Sequence, residues 1–374
     1  MHRALVVTVV HHPGDARIRH REISALLDAG WQVTYAAPFS GYGVAPPRGP
    51  NGLETVDVPR ATGRRRFAAL RGARALLRAR APGHDVVLLH DPELLLTLPG
   101  LDLPPVVWDV HEDTAAAVTL KPWLPRPLRR PVAATVRTIE QLAARRVHLI
   151  LAETSYRVRF GPDHLVVPNT VQVPERIQPS NDRRVVYLGH VTLARGAAEL
   201  VDIGRQVRIA TAGGTRLLVI GDADEAARRL LAPAADAGDL DWAGFVPNDQ
   251  ALAMLGGALA GLSLLHDEPN YRGSMPTKVV EYMAHGVPVV TTPLPQARDL
   301  VRRAGAGVVV PFGDADAVVR EILRLRADPA CRAEMGAAGH RVAGAEFDWR
   351  QLSGDFVTEI ARIATPSAER PSHA

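Results

Sequence analysis

The feature that most constrains the fold is an alternation of short apolar runs and amphipathic segments, which occurs twice along the chain. The apolar run at residues 5–10 is typical of a strand that is buried on both faces, and a corresponding strand is predicted at 216–221. Segments such as 15–30 and 128–146 place apolar residues at helical spacing. Strand followed by helix, repeated in this way, predicts an α/β fold built on parallel sheets.

A break in the alternation divides the chain into two halves. Residues 168–182 contain three prolines and several polar residues without periodicity, which is the composition of a linker. Two α/β halves of similar size usually hold a ligand in the cleft between them. The predicted organisation is a first domain at 1–167, a linker at 168–183, a second domain at 184–347, a C-terminal helix at 348–365 that packs back across the domains, and a disordered tail at 366–374.

Composition excludes several classes of protein. The 374 residues are 47% hydrophobic, which is ample for buried cores, and no apolar run is long enough to span a bilayer. The N-terminal apolar run ends at His11-His12-Pro13 without a small-residue cleavage site, which favours a first strand over a signal peptide. Cys331 is the only cysteine, so a disulfide or a cysteine zinc site within one chain is excluded and a reducing cytoplasm is expected.

The densest chemical signal lies between residues 266 and 290, where a strand, a polar loop and a helix follow one another. Ser274 is a good N-cap, and Pro276 suits the first turn of the helix predicted after it. The N-terminus of such a helix offers free N–H groups and the positive end of the dipole to an anion such as a pyrophosphate.

Lys278 and Glu281 are three positions apart on this helix and therefore share a face. The lysine can neutralise a phosphate, and the carboxylate can accept two hydrogen bonds from a ribose diol. The alternative is an exposed surface ion pair. The polar loop before the helix, together with Gly286 and the apolar run after it, favours the functional interpretation.

The segment Pro276-Thr-Lys278-Val-Val-Glu281-Tyr282-Met-Ala-His-Gly286 resembles the donor-site motif of the GT-B retaining glycosyltransferases, in particular the family-4-like group 1 enzymes. Weaker similarities to that group occur in the same order along the chain and extend the resemblance over nearly the whole chain. They lie at residues 12–18, 108–112, 186–196, 217–221 and 242–246. The resemblance implies two Rossmann-like α/β/α domains that face each other across a cleft. It also implies transfer of a hexosyl-type sugar from a UDP-, GDP- or dTDP-sugar to an acceptor hydroxyl, with retention and without a cofactor or an essential metal.

The same resemblance implies that Glu281 binds the donor ribose and that Lys278 lies by the phosphates. Relatives carry two further cations that bind the pyrophosphate, at the positions where this chain has His190 and Arg195. Arg195 can serve as one of these cations, whereas a histidine is mostly neutral near neutral pH. Relatives also carry a glutamate upstream that contacts the donor sugar, and here Gly273 stands in its place. The implied donor-side residues are Gly14, Gly189, His190, Arg195, Gly244, Asn270, Arg272, Ser274, Lys278 and Glu281.

On the acceptor side, the resemblance implies that His111 faces the transferring sugar as a catalytic residue together with Glu281. The alternative for His111 is a strand-end histidine that caps a loop. Glu112 and Asp113 are expected to orient the acceptor hydroxyl, and Asp15 follows Gly14 in the first loop. His90 either lines the acceptor cleft or caps the helix predicted from Glu93, and the sequence does not decide between these.

Arginines are concentrated in the first half, and the helix at 64–80 is both basic and amphipathic. One interpretation is peripheral contact with anionic lipid on the inner face of a membrane, close to a lipid-linked acceptor. The other is a solvated arginine-rich face. The acceptor is a glycan, a lipid-linked saccharide or a small molecule. No nucleic-acid-binding module accompanies the charge, so a nucleic-acid partner is not expected. Two rival functions remain, an NDP-sugar epimerase of the same fold and a non-catalytic nucleotide-sugar-binding protein.

Overall fold

The structure is a computed structural model that describes residues 1–47, 52–110, 115, 125–168, 170–181 and 183–365. The described chain forms two compact units. Unit 1 comprises Met1–Pro168 and Arg350–Ala374, and unit 2 comprises Asn169–Trp349. Residues 170–181, within the predicted linker, are therefore grouped with unit 2; the predicted tail at 366–374 lies outside the described residues.

Unit 1 is built on a seven-stranded sheet in the order β3-β2-β1-β4-β5-β6-β7, and every pair of neighbouring strands is parallel. The strands are β1 (Arg3–Val7), β2 (Gln32–Ala37), β3 (Leu53–Asp57), β4 (Val86–Leu89), β5 (Val106–Val110), β6 (His148–Leu151) and β7 (Leu165–Val166). The α-helices before the boundary with unit 2 are α1 (Ser24–Asp28), α2 (Arg66–Arg80), α3 (Arg126–Ala144) and α4 (Arg157–Phe160). The apolar runs of β1, β4 and β5 are buried, as expected for strands covered on both faces.

Unit 2 repeats this architecture with a six-stranded parallel sheet in the order β10-β9-β8-β11-β12-β13. Its strands are β8 (Arg184–Leu188), β9 (Arg216–Ile220), β10 (Asp241–Gly244), β11 (Ala260–Ser263), β12 (Val289–Thr291) and β13 (Gly307–Val309). Its helices are α5 (Ala197–Ala210), α6 (Glu225–Asp236), α7 (Asn248–Ala253), α8 (Pro269–Arg272), α9 (Thr277–Ala284), α10 (Pro295–Ala304), α11 (Ala315–Ala327) and α12 (Pro329–Glu346). A last helix, α13 (Trp349–Ala364), begins at the end of unit 2 and lies otherwise in unit 1.

Both sheets reverse their strand order at one point. In unit 1 the chain winds outward from β1 to β3 and resumes beside β1 with β4, and in unit 2 the corresponding neighbours are β8 and β11. Ligands of doubly wound sheets bind outside the carboxyl ends of the strands at such a switch point. The segments that follow these four strands are therefore the places to look for a site.

Two predicted elements of unit 1 end differently in the structure. Strand β1 stops at Val7 rather than at residue 10, because the amides of Val9 and Val10 donate to the Asp91 carboxylate instead of to a neighbouring strand. The predicted helix at 15–30 begins as a π-helical turn, Ile18–Ile23, before α1. This wider turn has a bond from the Glu22 amide to the Arg17 carbonyl, and both of those side chains are buried.

In unit 2, helix α10 (Pro295–Ala304) was not predicted from the sequence. A proline in its first turn and Gly305 in the left-handed conformation at its C-cap are the usual boundary signals. Helix α7 ends at Ala253, ahead of the Gly256-Gly257 turn. None of the helices in the described part of the chain is long and apolar enough to cross a membrane.

Candidate functional site

Helix α9 carries the strongest sequence motif, and its start differs from the prediction. The helix begins at Thr277 with Pro276 at the N-cap position, so the prediction that Ser274 caps it was wrong. A residue that precedes proline is disfavoured in the helical region, which prevents helix formation before Pro276. The Ser274 hydroxyl instead lies 3.4 Å from the carbonyl oxygens of Asn270 and Tyr271, to which it donates.

Lys278 is the buried amine of the site. Its side chain is on α9, the residue is 7% exposed, and Nζ has no hydrogen-bond partner among the described residues. Nζ lies 3.6 Å from the centroid of the Tyr187 ring at the end of β8. Burial, and secondarily the positive charge of Arg195, lower the pKa of Lys278 well below its ordinary value. A buried ammonium of this kind requires an anion to complete it.

Gly189, the first residue after β8, makes room for this lysine. Its φ of +114° is strained for any residue with a side chain, and a Cβ there would lie 3.6 Å from Lys278 Nζ. Gly221, after β9, packs against Gly189 itself, since a Cβ there would meet the Gly189 carbonyl oxygen at 2.2 Å. The two strand ends therefore come together directly beside the buried ammonium.

Arg195 supplies the second positive charge of this region. Its Nη1 donates to the His190 carbonyl at 3.3 Å and its Nε to the Tyr271 hydroxyl at 3.4 Å. Burial, followed by the charge of Arg195, lowers the pKa of His190 below its ordinary value and favours the neutral imidazole. The cations of the site are thus Arg195 and Lys278, and His190 contributes its backbone carbonyl.

Tyr282 fixes α9 against the sheet. Its hydroxyl accepts from the Leu188 amide at 2.8 Å and donates to the Leu262 carbonyl at 3.1 Å, which joins the helix to β8 and β11 on both sides of the switch point. Gly261 permits this approach, since a Cβ there would lie 2.4 Å from the tyrosine ring. Glu281, the neighbour of Tyr282, is 7% exposed and is therefore a buried residue of α9 rather than a surface residue.

The remaining donor-side candidates occupy different environments. Arg272 is exposed, and its guanidinium makes two hydrogen bonds with the Asp267 carboxylate at 2.6 and 2.9 Å. The side chain of Asn270 is partly buried, and its Oδ1 has no hydrogen-bond partner among the described residues. Gly244 ends β10 in the left-handed conformation, and its carbonyl accepts from the Gly221 amide at 2.8 Å.

In unit 1 the structure describes three of the predicted site residues. The Gly14 amide donates to Nδ1 of His12 at 3.0 Å, within its own loop. Asp15 accepts from the amides of Arg17 and Ile18 at 2.9 and 3.1 Å, so its carboxylate caps the π-helical turn. His90 is 1% exposed. His111, Glu112 and Asp113 lie outside the described residues.

His90 belongs to a buried charged quartet with Arg17, Glu22 and Asp109. Arg17 donates to both Asp109 oxygens at 2.6 and 2.7 Å and lies 3.1 Å from Glu22. The His90 ring nitrogens lie 3.5 Å from Glu22 and 3.3 Å from Asp109. His90 therefore packs into a buried charged quartet of unit 1.

Three members of the quartet have the side chains of a metal site. Glu22, His90 and Asp109 bring possible ligand atoms within 4.8 Å of one another. The Arg17 guanidinium donates to both Asp109 oxygens and forms an ion pair with Glu22 Oε1 at 3.1 Å. Arg17 therefore already supplies a positive charge at this position, and it would repel a metal ion.

A second buried carboxylate, Asp91, holds the segment after β1. Its oxygens accept from the Thr8 hydroxyl at 2.9 Å, from the amides of Val9 and Val10, and from Nδ1 of His11 at 2.7 Å. Burial alone would raise the pKa of Asp91, but the hydrogen bonds, above all that from His11, hold it below the ordinary value. The loop of unit 1 is thus fixed by the ends of its neighbouring strands.

The chain is similar to known proteins both in sequence and in structure. Residues 182–328 match the family described as glycosyl transferases group 1. The chain is 25% identical over 362 residues to the phosphatidyl-myo-inositol mannosyltransferase of Mycolicibacterium smegmatis, in an alignment that covers 92% of this chain and 89% of that protein. Residues 182–328 are therefore similar to a group 1 glycosyltransferase domain, and the chain is a glycosyltransferase.

Solved structures show that this glycosyltransferase has the GT-B fold. A sucrose-phosphate synthase from Thermosynechococcus elongatus superposes with a TM-score of 0.74 at 17% identity, over 97% of this chain and 99% of that one. HepE from Anabaena, crystallised with UDP-glucose, gives a TM-score of 0.70 at 13% identity, over 96% and 99% of the two chains. The predicted α/β fold with two Rossmann-like sheets is therefore confirmed.

Sequence reasoning missed several side chains of the glycosyltransferase that the structure brings into the sites. Tyr187 and Tyr271, which contact the two cations, lie on segments that local patterns mark only as a strand end and a polar loop. The Arg17–Asp109 pair joins positions that are 92 residues apart. The sequence contained one indication of these contacts. Asp91 and Asp109 lie near the ends of predicted strands, where parallel sheets bring polar site residues together.

Proposed function

We propose that the enzyme transfers a hexosyl-type sugar from a nucleoside diphosphate sugar to an acceptor hydroxyl, with retention of the anomeric configuration, and that the donor binds at the Lys278–Glu281 face of α9. The observation that supports this most directly is the buried Lys278 ammonium, which lacks a hydrogen-bond partner among the described residues and lies beside Arg195 and the glycine turns after β8 and β9. Two cations at the switch point of a parallel sheet suit a pyrophosphate.

In this proposal Glu281 accepts the hydroxyls of the donor ribose, while Lys278 and Arg195 stabilise the negative charge that develops on the departing diphosphate. Fixed positive charges in a desolvated wall need little reorganisation when the bond to the sugar breaks. The same two cations make an essential divalent metal unnecessary for neutralising the diphosphate. His111 is proposed to face the transferring sugar, with Glu112, Asp113, Asp15 and Gly14 on the acceptor side of the reaction.

The relatives and neighbours support a sugar-nucleotide donor of this class. One neighbour of the same fold was crystallised with UDP-glucose, and the curated relatives are named mannosyltransferases that act on phosphatidyl-myo-inositol. For this chain we propose a UDP-, GDP- or dTDP-sugar as donor. The proposed acceptor is a glycan, a lipid-linked saccharide or a small molecule.

Peripheral membrane contact through α2 is a further part of the proposal, with the cytoplasm as the compartment. The helix buries Ala69, Ala73 and Leu77 and leaves Phe67 81% exposed. Exposed arginines accompany that ring, at positions 64, 65, 71 and 78. Sedimentation with vesicles that contain phosphatidylglycerol, and none with pure phosphatidylcholine vesicles, is the expected result; equal sedimentation with both would contradict an electrostatic contact.

The experiment that tests the function starts from a thermal-shift screen of the full chain against UDP-, GDP-, dTDP- and ADP-sugars. The donor that stabilises the protein is then incubated with a cell-envelope extract. Release of the nucleoside diphosphate together with a new glycosylated product is expected. A mass-neutral change of the donor without an acceptor would instead identify an epimerase.

Two variants link the activity to this site. Lys278→Ala and Glu281→Ala should each lose most of the transfer rate, and Arg229→Ala is the matched control because that side chain is exposed on α6. Transfer by the first two variants at the parent rate would exclude the site proposed on α9.

A further inference from the structure

Arg195 lies in a short turn, residues 192–196, between β8 and α5. The amides of Arg195 and Gly196 donate to carbonyls of the same turn, each at 3.0 Å. The guanidinium itself makes two hydrogen bonds to groups outside the turn, and both are long, at 3.3 and 3.4 Å. The position of this cation therefore depends on the backbone of the turn.

His266, which follows β11, contacts the turn at both of its ends. The His266 amide donates to the Ala194 carbonyl at 2.9 Å, directly before Arg195. The ring nitrogen Nε2 of His266 lies 2.7 Å from Oε1 of Glu199, which is in the first turn of α5. A carboxylate accepts such a bond, so Nε2 carries the hydrogen. One residue thus joins both ends of the turn to the end of β11.

The packing of Gly196 makes this connection rigid. Its φ is +91°, and a Cβ there would lie 2.7 Å from Leu264 Cβ and 3.0 Å from the Leu264 carbonyl oxygen. The backbone of the turn therefore lies directly against the segment that leads to His266. A shift of that segment would move the turn as well.

The burial of Glu199 distinguishes this pair from an exposed ion pair. The Glu199 side chain is 14% exposed, whereas those of Asp202 and Arg205, a pair on the same helix, are 55% and 57% exposed. Oε2 of Glu199 has no hydrogen-bond partner among the described residues, and Oε1 is bonded to His266. A largely buried carboxylate is costly unless it is paired, so the bond with His266 resists separation.

We propose that His266 and Glu199 are positioning residues of the donor site, and that their pair holds the turn 192–196 so that Arg195 meets the diphosphate. Without the pair the turn samples more conformations, and only some of them place the guanidinium correctly. The apparent affinity falls in proportion to the fraction of molecules in the competent conformation. This inference rests on the proposed donor site, in which Arg195 binds the diphosphate.

The first test asks whether the effect of His266 passes through Arg195. UDP, GDP, dTDP and ADP are titrated into the parent and into variants of the pair. His266→Ala and Glu199→Ala should each weaken binding about 5- to 10-fold. In an Arg195→Ala background, His266→Ala should have no further effect, because the group that it positions is absent. Parental affinity in His266→Ala, or losses that add up in the double variant, would overturn the inference.

A conservative variant and a matched control make this result specific. In His266→Gln the side-chain amide can donate from the place of Nε2, so this variant should regain most of the affinity. Asp202→Ala removes an exposed carboxylate from the same helix and should bind like the parent. If His266→Gln binds as weakly as His266→Ala, the imidazole acts by itself and the positioning role is refuted.

The second test needs no ligand and therefore separates this inference from the donor site. The amides of Arg195, Gly196 and Ala197 donate to carbonyls of the turn. Their hydrogen exchange in the ligand-free protein should be at least about 5-fold faster in His266→Ala than in the parent, and unchanged in Asp202→Ala. Equal exchange in the parent and His266→Ala would overturn the inference. If the exchange changes as expected but no diphosphate binds the parent, the donor site fails instead.

Discussion

The environment of Lys278 indicates that its amine gains a proton when an anionic ligand binds. Burial and Arg195 lower its pKa in the ligand-free protein, and a bound diphosphate would raise it again. The unfolded chain holds this proton up to the ordinary pKa of 10.5, whereas the folded chain releases it earlier. The unfolded state therefore binds more protons in this window, and the stability of the ligand-free enzyme rises with pH through it.

We expect diphosphate binding to be accompanied by proton uptake at mildly alkaline pH. Calorimetric titration with the diphosphate in two buffers of different ionisation enthalpy measures the number of protons taken up. Lys278→Met should abolish this uptake and weaken binding about tenfold or more, as expected for the loss of a charge-assisted contact. Uptake of the same size in Lys278→Met would assign the proton to another group.

Glu22 shows the opposite linkage in unit 1. Burial, and next the nearby Asp109 carboxylate, raise its pKa well above the ordinary value of 4.5. Between these two values the folded state holds one proton more than the unfolded state. Stability therefore falls as pH rises through this window and is highest below it.

Glu22→Gln imitates the protonated carboxyl group and should flatten this part of the pH profile. Urea unfolding at mildly acidic and at neutral pH provides the measurement, and the variant should be at least as stable as the parent at neutral pH. Glu22→Ala should instead be destabilised by about 1–3 kcal/mol, because it leaves buried polar partners unpaired. An unchanged pH slope in Glu22→Gln would show that Glu22 is ionised in the fold.

At the scale of elements, the placement of the donor helix α9 depends on the small residues of α12. A Cβ on Gly336 would lie 2.3 Å from the Gly286 carbonyl oxygen, and one on Gly339 would lie 3.3 Å from Met283 Cα. The His340 ring donates to the Ala284 carbonyl at 2.7 Å, at the last residue of α9. Helix α12 therefore fixes the end of the helix that presents Lys278.

Gly336→Ala should displace α12 from α9, destabilising the protein by about 1–3 kcal/mol and weakening diphosphate binding. Gly344→Ala on the same helix is the matched control, since its nearest neighbour would be Val173 Cγ1 at 4.0 Å. That control should gain a few tenths of a kcal/mol from helix propensity. Urea unfolding measures the change in stability, and diphosphate titration measures the change in affinity. Equal stability and equal affinity of the two variants would contradict the proposed packing of α12 against α9.

Elements whose boundaries have local causes could be predicted, and those that depend on distant partners could not. Helix α11 (Ala315–Ala327) has local causes for its bounds, because Asp314 caps it and its apolar face is periodic. The end of β1 depends on Asp91, more than 80 positions away, and local periodicity contains no record of that carboxylate. Likewise, Pro276 rather than Ser274 sets the start of α9.

For the molecule as a whole, the doubled alternation of strands and helices was enough to predict two parallel α/β sheets. The donor motif could also be predicted, because Lys278 and Glu281 are close in sequence and share a helix face. What the sequence did not contain is their environment: a lysine amine packed over Tyr187 and an Arg272 bonded to Asp267. Burial and charge pairing are properties of the assembled fold.

The central claim is that the Lys278–Glu281 face of unit 2 binds a nucleoside diphosphate, and calorimetric titration of the full chain tests it most directly. UDP, GDP, dTDP and ADP are titrated into the parent, Lys278→Met, Glu281→Gln and the exposed control Arg229→Gln. We predict that at least one diphosphate binds the parent and the control alike, and that each site variant loses about 10- to 100-fold in affinity. Parental affinity in both site variants would contradict the account.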